Sequence, residues 1–459
     1  MLGEKCKRPI TSLWCKVVLS IIAVAYFCTI CIPNTYTEPK RVICWDIKSY
    51  YSYLPSYFID HNIEMKGWTD DLPPFEQKYW PVGVGKDTLI FKMTMGVSFF
   101  YAPFFAVAHV VAAPLGYPAD GFSAPYSFAL LLSGAFFAWL GLLVLSCYLR
   151  RRFSDKVTAA VIAILGLGTN LYWYATFEAP MSHSYSFFLF AVFLYLTELW
   201  YEKSLWWRTV LLGIVLGCIS LVRPSNSLIV VVFLLYGLTK WRDFVERFKL
   251  YLHEWPKVVT LVVLVFLVWL PQCLYWKHIT GSYFFYSYID ERFYFNDPKI
   301  LQVLFGFRKG LFVYTPVLLA ALAGFFLLWQ RQRDVFWAIV VFLILNVYVV
   351  ASWWCWWYGG SFGMRALIES FVFLSIPLAV FLKWVSEQKQ LIRATLITIV
   401  VLLALRSPFH VVQYYNKVIH YEGMTRQAYF HVFWKVKPPE DYWNYIVFPD
   451  KDPAVRTDK

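Results

Sequence analysis

Apolar runs of about the length that crosses a bilayer as a helix, roughly 20 residues, recur along almost the whole chain between short polar breaks. They predict helices over about 13–33, 126–149, 157–175, 184–201, 208–222, 227–240, 257–279, 311–330, 336–353, 367–384 and 393–409. The basic residues form no single patch. They fall in the breaks, as "KCKR", "RRRFSDK", "EKSLWWR", "TKWRDFVERFK", "RQRD" and "SEQKQLIR". Cytoplasmic loops carry an excess of Lys and Arg, so these clusters share one side. The pattern predicts an all-α polytopic membrane protein of about eleven transmembrane helices, N-terminus inside and C-terminus outside.

One apolar run breaks the parity. "GVSFFYAPFFAVAHVVAAPLG" (Gly96 to Gly116) would pass as a span on hydropathy, yet a single crossing would export "RRRFSDK" and the clusters that follow. It contains Pro103 and His109 and ends in "AAPLGYP". It reads as a helix lying in the outer interface, or re-entering, within a long external loop over 34–125. The division that follows is a transmembrane domain over 1–410 and an external tail over 411–459.

Composition agrees. Of 459 residues, 59% are hydrophobic and 21% aromatic, against 15% charged, where a soluble domain has about a quarter charged. The net charge of +13, dispersed between apolar runs, encodes topology, and nucleic acid is not an expected partner. The nine cysteines lie mostly inside apolar runs, as Cys28, Cys31, Cys218 and Cys273 do, without metal-ligand or disulfide spacing. Lys5, Lys7 and Arg8 precede the first apolar run as in a signal peptide, but no A-x-A-like site follows, so an uncleaved first helix is expected. The absence of an N-x-S/T sequon favours a bacterial envelope.

Acidic, basic and aromatic residues gather on the outer side, in "CWDIKSYYSYLPSYFIDHNIEM", "KYWPVGVGK", "GTNLYWYATFEAPMSHSYSF", "RPSN", "YIDERFYF", "FGFRKGLF" and "GGSFGMRALIES". Asp46 follows the first span closely. Ile47, Tyr51, Leu54 and Phe58 after it recur at helical spacing, as in an amphipathic helix suited to the interface. Asp46 suits a helix N-cap and equally a general base for a hydroxyl acceptor. The two roles are compatible.

An aspartate in the first external loop, just before an aromatic helix, resembles the GT-C class of membrane glycosyltransferases, which includes protein O-mannosyltransferases and lipid A aminoarabinose transferases. "YWPVG", with Tyr79, resembles their Y/H-P-x-G segment, and the non-crossing helix their second juxtamembrane helix. "TNLYWYATFEAPMSHSYSFF" occupies the place of their second acidic motif, while "RKGLFVYTP" and "WYGGSFGMR" resemble late external motifs of bacterial members. The resemblance implies an inverting transfer from a polyprenyl-phosphate sugar to a hydroxyl of an envelope glycan, lipid or protein. It places the site on the outer face of a bacterial inner membrane, among membrane lipids.

In that reading Asp46 deprotonates the acceptor, and Arg308, Lys309 and Arg365 are candidates for the departing phosphate, because charge develops there. Arginine offers a planar fork matched to phosphate oxygens. Arg365 could instead pair with Glu369, four residues on along the same helix. Where mannosyltransferase-like members carry an aspartate, this chain offers Glu178 and His183, to position acceptor or phosphate or to join Asp46 around a divalent cation. Metal dependence stays open. Arg223 in "LVRPSN" reads most simply as a helix-end cation reaching headgroups.

Trp353, Trp354, Trp356 and Trp357 stand where a span should meet the interface, so an aromatic belt explains most of them. Gly359 to Arg365 reads as part of a site, since small residues let backbone and ligand approach closely. Two other readings remain. A lipid-linked saccharide transporter or flippase would carry ionisable residues near mid-membrane and broken helices in related pairs. An O-antigen-type polymerase or ligase would concentrate its functional residues in a large later loop.

Overall fold

The computed structural model describes residues 12–68, 76–84 and 88–450. The basic cluster with Lys5, Lys7 and Arg8 and the end of the tail beyond 450 lie outside the described residues, as do 69–75 and 85–87 of the first loop.

Among the described residues the chain is helical apart from one small antiparallel ladder, Val82–Val84 against Thr88–Ile90, and an isolated bridge between Phe293 and Trp353. Among the described residues, seven helices are long and apolar enough to cross a membrane: Leu13–Cys31, Ala124–Arg150, Ser182–Glu202, Trp255–Thr280, Arg333–Ser352, Arg365–Ser386 and Gln390–Tyr415. The other expected spans are shorter or broken. Trp206–Val222, Pro224–Leu235 and Pro316–Arg331 are apolar but brief. In the last two, proline opens a 3-10 turn rather than extending a helix already begun. The run expected over 157–175 divides into Asp155–Leu167 and Leu171–Tyr174. There the Thr169 hydroxyl donates to the Leu165 carbonyl at 2.6 Å and accepts the Leu171 amide at 3.2 Å, taking over the backbone partners of a continuing helix.

Small residues set the packing. Gly213 and Gly217 of Trp206–Val222 press on Leu264 and Val268 of Trp255–Thr280, while Gly141 presses on Phe187 and Phe188. On the opposite side of Trp255–Thr280, Val259, Val262, Val263, Phe266, Leu267 and Leu270 are exposed, an apolar face suited to acyl chains.

The first loop departs from the amphipathic helix expected after Asp46. Two short helices, Trp45–Tyr51 and Tyr53–Phe58, form there, and every residue from Ile47 to Ser56 is buried. The polar positions are absorbed by hydrogen bonds: Lys48 Nζ to the Gln77 carbonyl at 2.5 Å, the Ser49 hydroxyl from the Met93 amide at 3.0 Å, and the Ser52 and Ser56 hydroxyls to carbonyls one turn back. Only Trp45, Tyr57 and Phe58 at the ends remain exposed. The run at 96–116 does form a helix, Gly96–Ala112, which buries Tyr101, Phe105, Ala108 and Ala112 and exposes Phe99, Val107 and Val110. The last long helix continues to Tyr415, past the boundary expected at 410. The segment after it folds back over residues 308–309 and 357–361.

Candidate active site

Asp46 sits in the first turn of its helix, and Cys44, not Asp46, is the N-cap. Trp45 ahead of it has φ of 47°, the left-handed region that side chains with a Cβ enter only at a cost. The helix behind is bolted down on all sides. Ser98 donates its hydroxyl to the Tyr50 carbonyl, Tyr51 reaches the Gly121 carbonyl at 2.5 Å, and Tyr53 reaches the Met93 carbonyl at 2.7 Å. A carboxylate carried on so fixed an element is held by its scaffold rather than by a mobile loop.

The partner of that carboxylate is Arg365, whose Nη2 lies 3.1 Å from Asp46 Oδ2. The pair weighed from the sequence, Arg365 with Glu369, is not among the contacts. Residues Arg365–Ser370 form a 3-10 helix, in which three residues make a turn, so position i+4 falls about 120° away from i rather than beside it. Glu369 instead accepts from Arg223 Nη1 at 2.7 Å and lies 3.5 Å from His183 Nδ1. Gly363, two residues before Arg365, has φ of 59° and packs against Tyr314 and Asn170, where a Cβ would be both strained and crowded.

Glu178 lies on the hairpin between two helices, held there because Gly134 leaves room for the Ala179 carbonyl. Burial pushes its carboxyl pKa up, and the Arg365 charge only partly offsets this. Arg308 donates to the Glu422 and Val447 carbonyls at 2.6 and 3.2 Å, and Lys309 donates to the carbonyls of Ser361 and Tyr421. Burial, then the nearby Arg365 charge, lowers the Lys309 pKa to about 7. Tyr79 donates to Asp60 at 2.7 Å within an aromatic cluster of Trp68, Phe91 and Phe122.

Several of these side chains line a cavity of about 1360 Å³. Asp46, Glu178, His183, Arg223, Arg365 and Glu422 line its polar part. Phe266, Trp269, Trp276, Phe284 and Phe285 also line it, and Phe266 belongs to the exposed face of Trp255–Thr280. Of the residues expected in a site, Asp46, Glu178, His183 and Arg365 reach the cavity and Glu369 backs its wall, whereas Arg308, Lys309 and Tyr79 stand behind it. Among the described residues no three His, Cys, Asp or Glu side chains converge as a metal centre would need. His183 turns toward Glu369, which leaves Asp46 and Glu178 without a third ligand from it.

The tryptophan belt also needs correction. After Ser352 the chain leaves the helix in an extended conformation and the indoles turn into protein. Trp356 and Trp357 are buried, Trp357 donates to Glu422 at 3.1 Å, and Trp353 packs on Phe293 and Tyr288. Arg223, expected to be a helix-end cation reaching headgroups, lines the cavity and donates to Glu369 instead, while Glu422 and Glu291, which pairs with Lys92 at 2.6 Å, had no role assigned from the sequence. "RPSN" and "YIDERFYF" stood among the outer-side stretches, and a charge directly beside an apolar run is costly without a partner, which is the signal that could have found Arg223 and Glu291.

The arrangement suits an amphiphile: a carboxylate, arginines for an anionic group, and aromatic side chains along the walls. No family model matches the chain, and no curated protein does. Solved structures match, among them the crystal structure of the Archaeoglobus fulgidus oligosaccharyltransferase in the apo form, with a TM-score of 0.52 and 12% identity. The match covers 96% of this chain and 60% of that one, so the chain spans about three fifths of that protein's length. At that identity the likeness concerns the fold alone, and the fold is that of a GT-C-like membrane protein.

Proposed function

We propose that the protein is an inverting glycosyltransferase that moves a sugar from a polyprenyl-phosphate donor to a hydroxyl of an envelope glycan, lipid or protein, on the outer side of a bacterial inner membrane. The observation that carries this reading is the Asp46–Arg365 pair at 3.1 Å on the wall of a cavity that is otherwise lined largely by aromatic side chains. Asp46 takes the acceptor's proton as its oxygen attacks the anomeric carbon. The bond from that carbon to the phosphate oxygen breaks, and the lipid phosphate leaves with its electron pair.

Arg365 meets the phosphate. Arg308 and Lys309, which stand outside the cavity lining and each donate to two backbone carbonyls, act through their field rather than by contact. Glu178 and His183 face acceptor or sugar, Glu369 acts through its partners, and Tyr79 holds the first loop in shape. The residues up to about 410 carry the membrane domain, and those after it an external tail that completes a wall. The test is transfer by purified protein in nanodiscs from polyprenyl-phosphate-linked sugars to a panel of envelope acceptors. A wild-type protein that moves no sugar from any such donor, while binding none of them, refutes the reading.

A further inference from the structure

Inverting displacement sets a requirement that the Asp46–Arg365 pair does not meet alone. The activating carboxylate and the leaving group's partner work on opposite faces of the sugar, roughly 6.5–9.5 Å apart in inverting glycosidases. Arg365 instead touches Asp46, with Nη2 on the carboxylate and Nη1 3.9 Å from Met181 Sδ. Its Nε is buried without a partner. Little of its donor capacity is open to a ligand while that contact holds.

Arg223 is differently placed. It follows the Trp206–Val222 helix in extended conformation, φ −149° and ψ 111°, which the proline after it enforces. Its side chain, 16% exposed, lines the cavity. Nη1 donates to Glu369 Oε1 at 2.7 Å, and the guanidinium lies 5.9 Å from the centre of the Tyr358 ring. A guanidinium has five N–H donors, and those on Nε and Nη2 make no hydrogen bond among the described residues. Glu369 behind it is fully buried, with Oε1 on Arg223 and Oε2 on His183. A carboxylate so enclosed cannot swing away, and it holds one edge of the fork while leaving the other to the cavity. Arg223 and Arg365 both line the same cavity. A headgroup-reaching cation would point outward instead.

We propose that Arg223 anchors an oxyanion subsite for a phosphoryl group, separate from the Asp46–Arg365 contact, and that Glu369 and His183 position it. The assignment rests on the donor reading above and names the residue that receives the leaving group. Arg365 then serves Asp46 in the resting state and meets the phosphoryl group from the other side.

The test measures binding of a polyprenyl phosphate, the corresponding polyprenol and inorganic phosphate to the full chain in nanodiscs. Wild type should favour the phosphate over the polyprenol, and Arg223→Gln should lower that preference by about ten- to a hundredfold with polyprenol affinity unchanged. Arg223→Lys should restore it only in part, because an ammonium lacks the fork. Glu369→Gln keeps an acceptor for Arg223 and should retain most of the preference. Adding Glu369→Gln to Arg223→Gln should cost nothing further, because Glu369 bears on the phosphate preference only through Arg223. This double variant also removes both charges together, so no unpaired charge is left buried. Inorganic phosphate should compete in wild type and not in Arg223→Gln. A wild-type preference that survives in Arg223→Gln, or competition equal in both, overturns the subsite and leaves the donor reading standing. No preference in wild type overturns both.

Discussion

Asp46 and Arg365, 319 residues apart in sequence, meet through one hydrogen-bonded ion pair of 3.1 Å. The pair joins the first loop to a 3-10 turn far along the chain. Each charge is compensated before any ligand arrives, and any ligand group that takes Arg365 must compete with Asp46 for it.

Asp46→Asn keeps the shape and a hydrogen-bond acceptor for Arg365 but loses basicity, since an amide takes no proton at neutral pH. Transfer should fall by about two to four decades while expression and donor binding persist. Near-normal turnover of the purified variant would end the proposal for this residue.

Arg365→Lys separates phosphate recognition from simple charge balance. If Arg365 contacts the donor phosphate, the lysine variant should lose about 1.5–3 kcal/mol of binding, or about one to two decades in affinity. Were the arginine only a counter-charge for Asp46, lysine would serve nearly as well. Donor-lipid affinity in the two proteins, measured in the same nanodiscs, decides between them.

Lys309 gives a pH signature. Its folded pKa is pushed down to about 7 from an ordinary 10.5, so folding expels a proton between those values. The cost is fully present below about pH 7 and fades as pH rises toward the unfolded value. Thermal melts should therefore show wild type gaining stability relative to Lys309→Met from about pH 7 to about pH 9. A difference that stays flat with pH would contradict this.

The parity of the basic clusters predicts that Gly96–Ala112 does not cross the membrane. Ser154 caps the helix from Asp155, and Ser123 precedes the one from Ala124. Cysteines placed there should label from opposite sides, position 154 from the cytoplasm and 123 from outside. External labelling at 154 would overturn the arrangement.

Fold class was legible because apolar length and one-sided charge are local properties of the chain. The place of Asp46 just after the first span needs no tertiary information either, and the structure puts that residue on the cavity wall. What the sequence hid was mostly partnership. Glu369 stands at a helical distance from Arg365, and only the 3-10 geometry sends it to Arg223 instead. The spacing of Ile47, Tyr51 and Leu54 did mark a buried face, but Lys48, Ser49 and Ser52 are buried too, by hydrogen bonds from segments dozens of residues away or from the turn before. The indoles at 353–357 look like a belt because tryptophan favours both an interface and an aromatic wall, and composition does not separate the two.

The return of the chain over Arg308, Lys309 and Trp357 has a consequence for biosynthesis. Tyr421 and Glu422 supply backbone and side-chain acceptors to that wall, and they emerge from the ribosome only after the helix ending at Tyr415. A nascent chain that has inserted its helices thus already holds Asp46 and Arg365 yet presents an open-sided cavity, with Arg308 lacking its carbonyl partners at 422 and 447 and Lys309 left with Ser361 alone. Competence should arrive in one late step, after insertion is complete, and a chain stopped at 415 should be membrane-integrated but inactive.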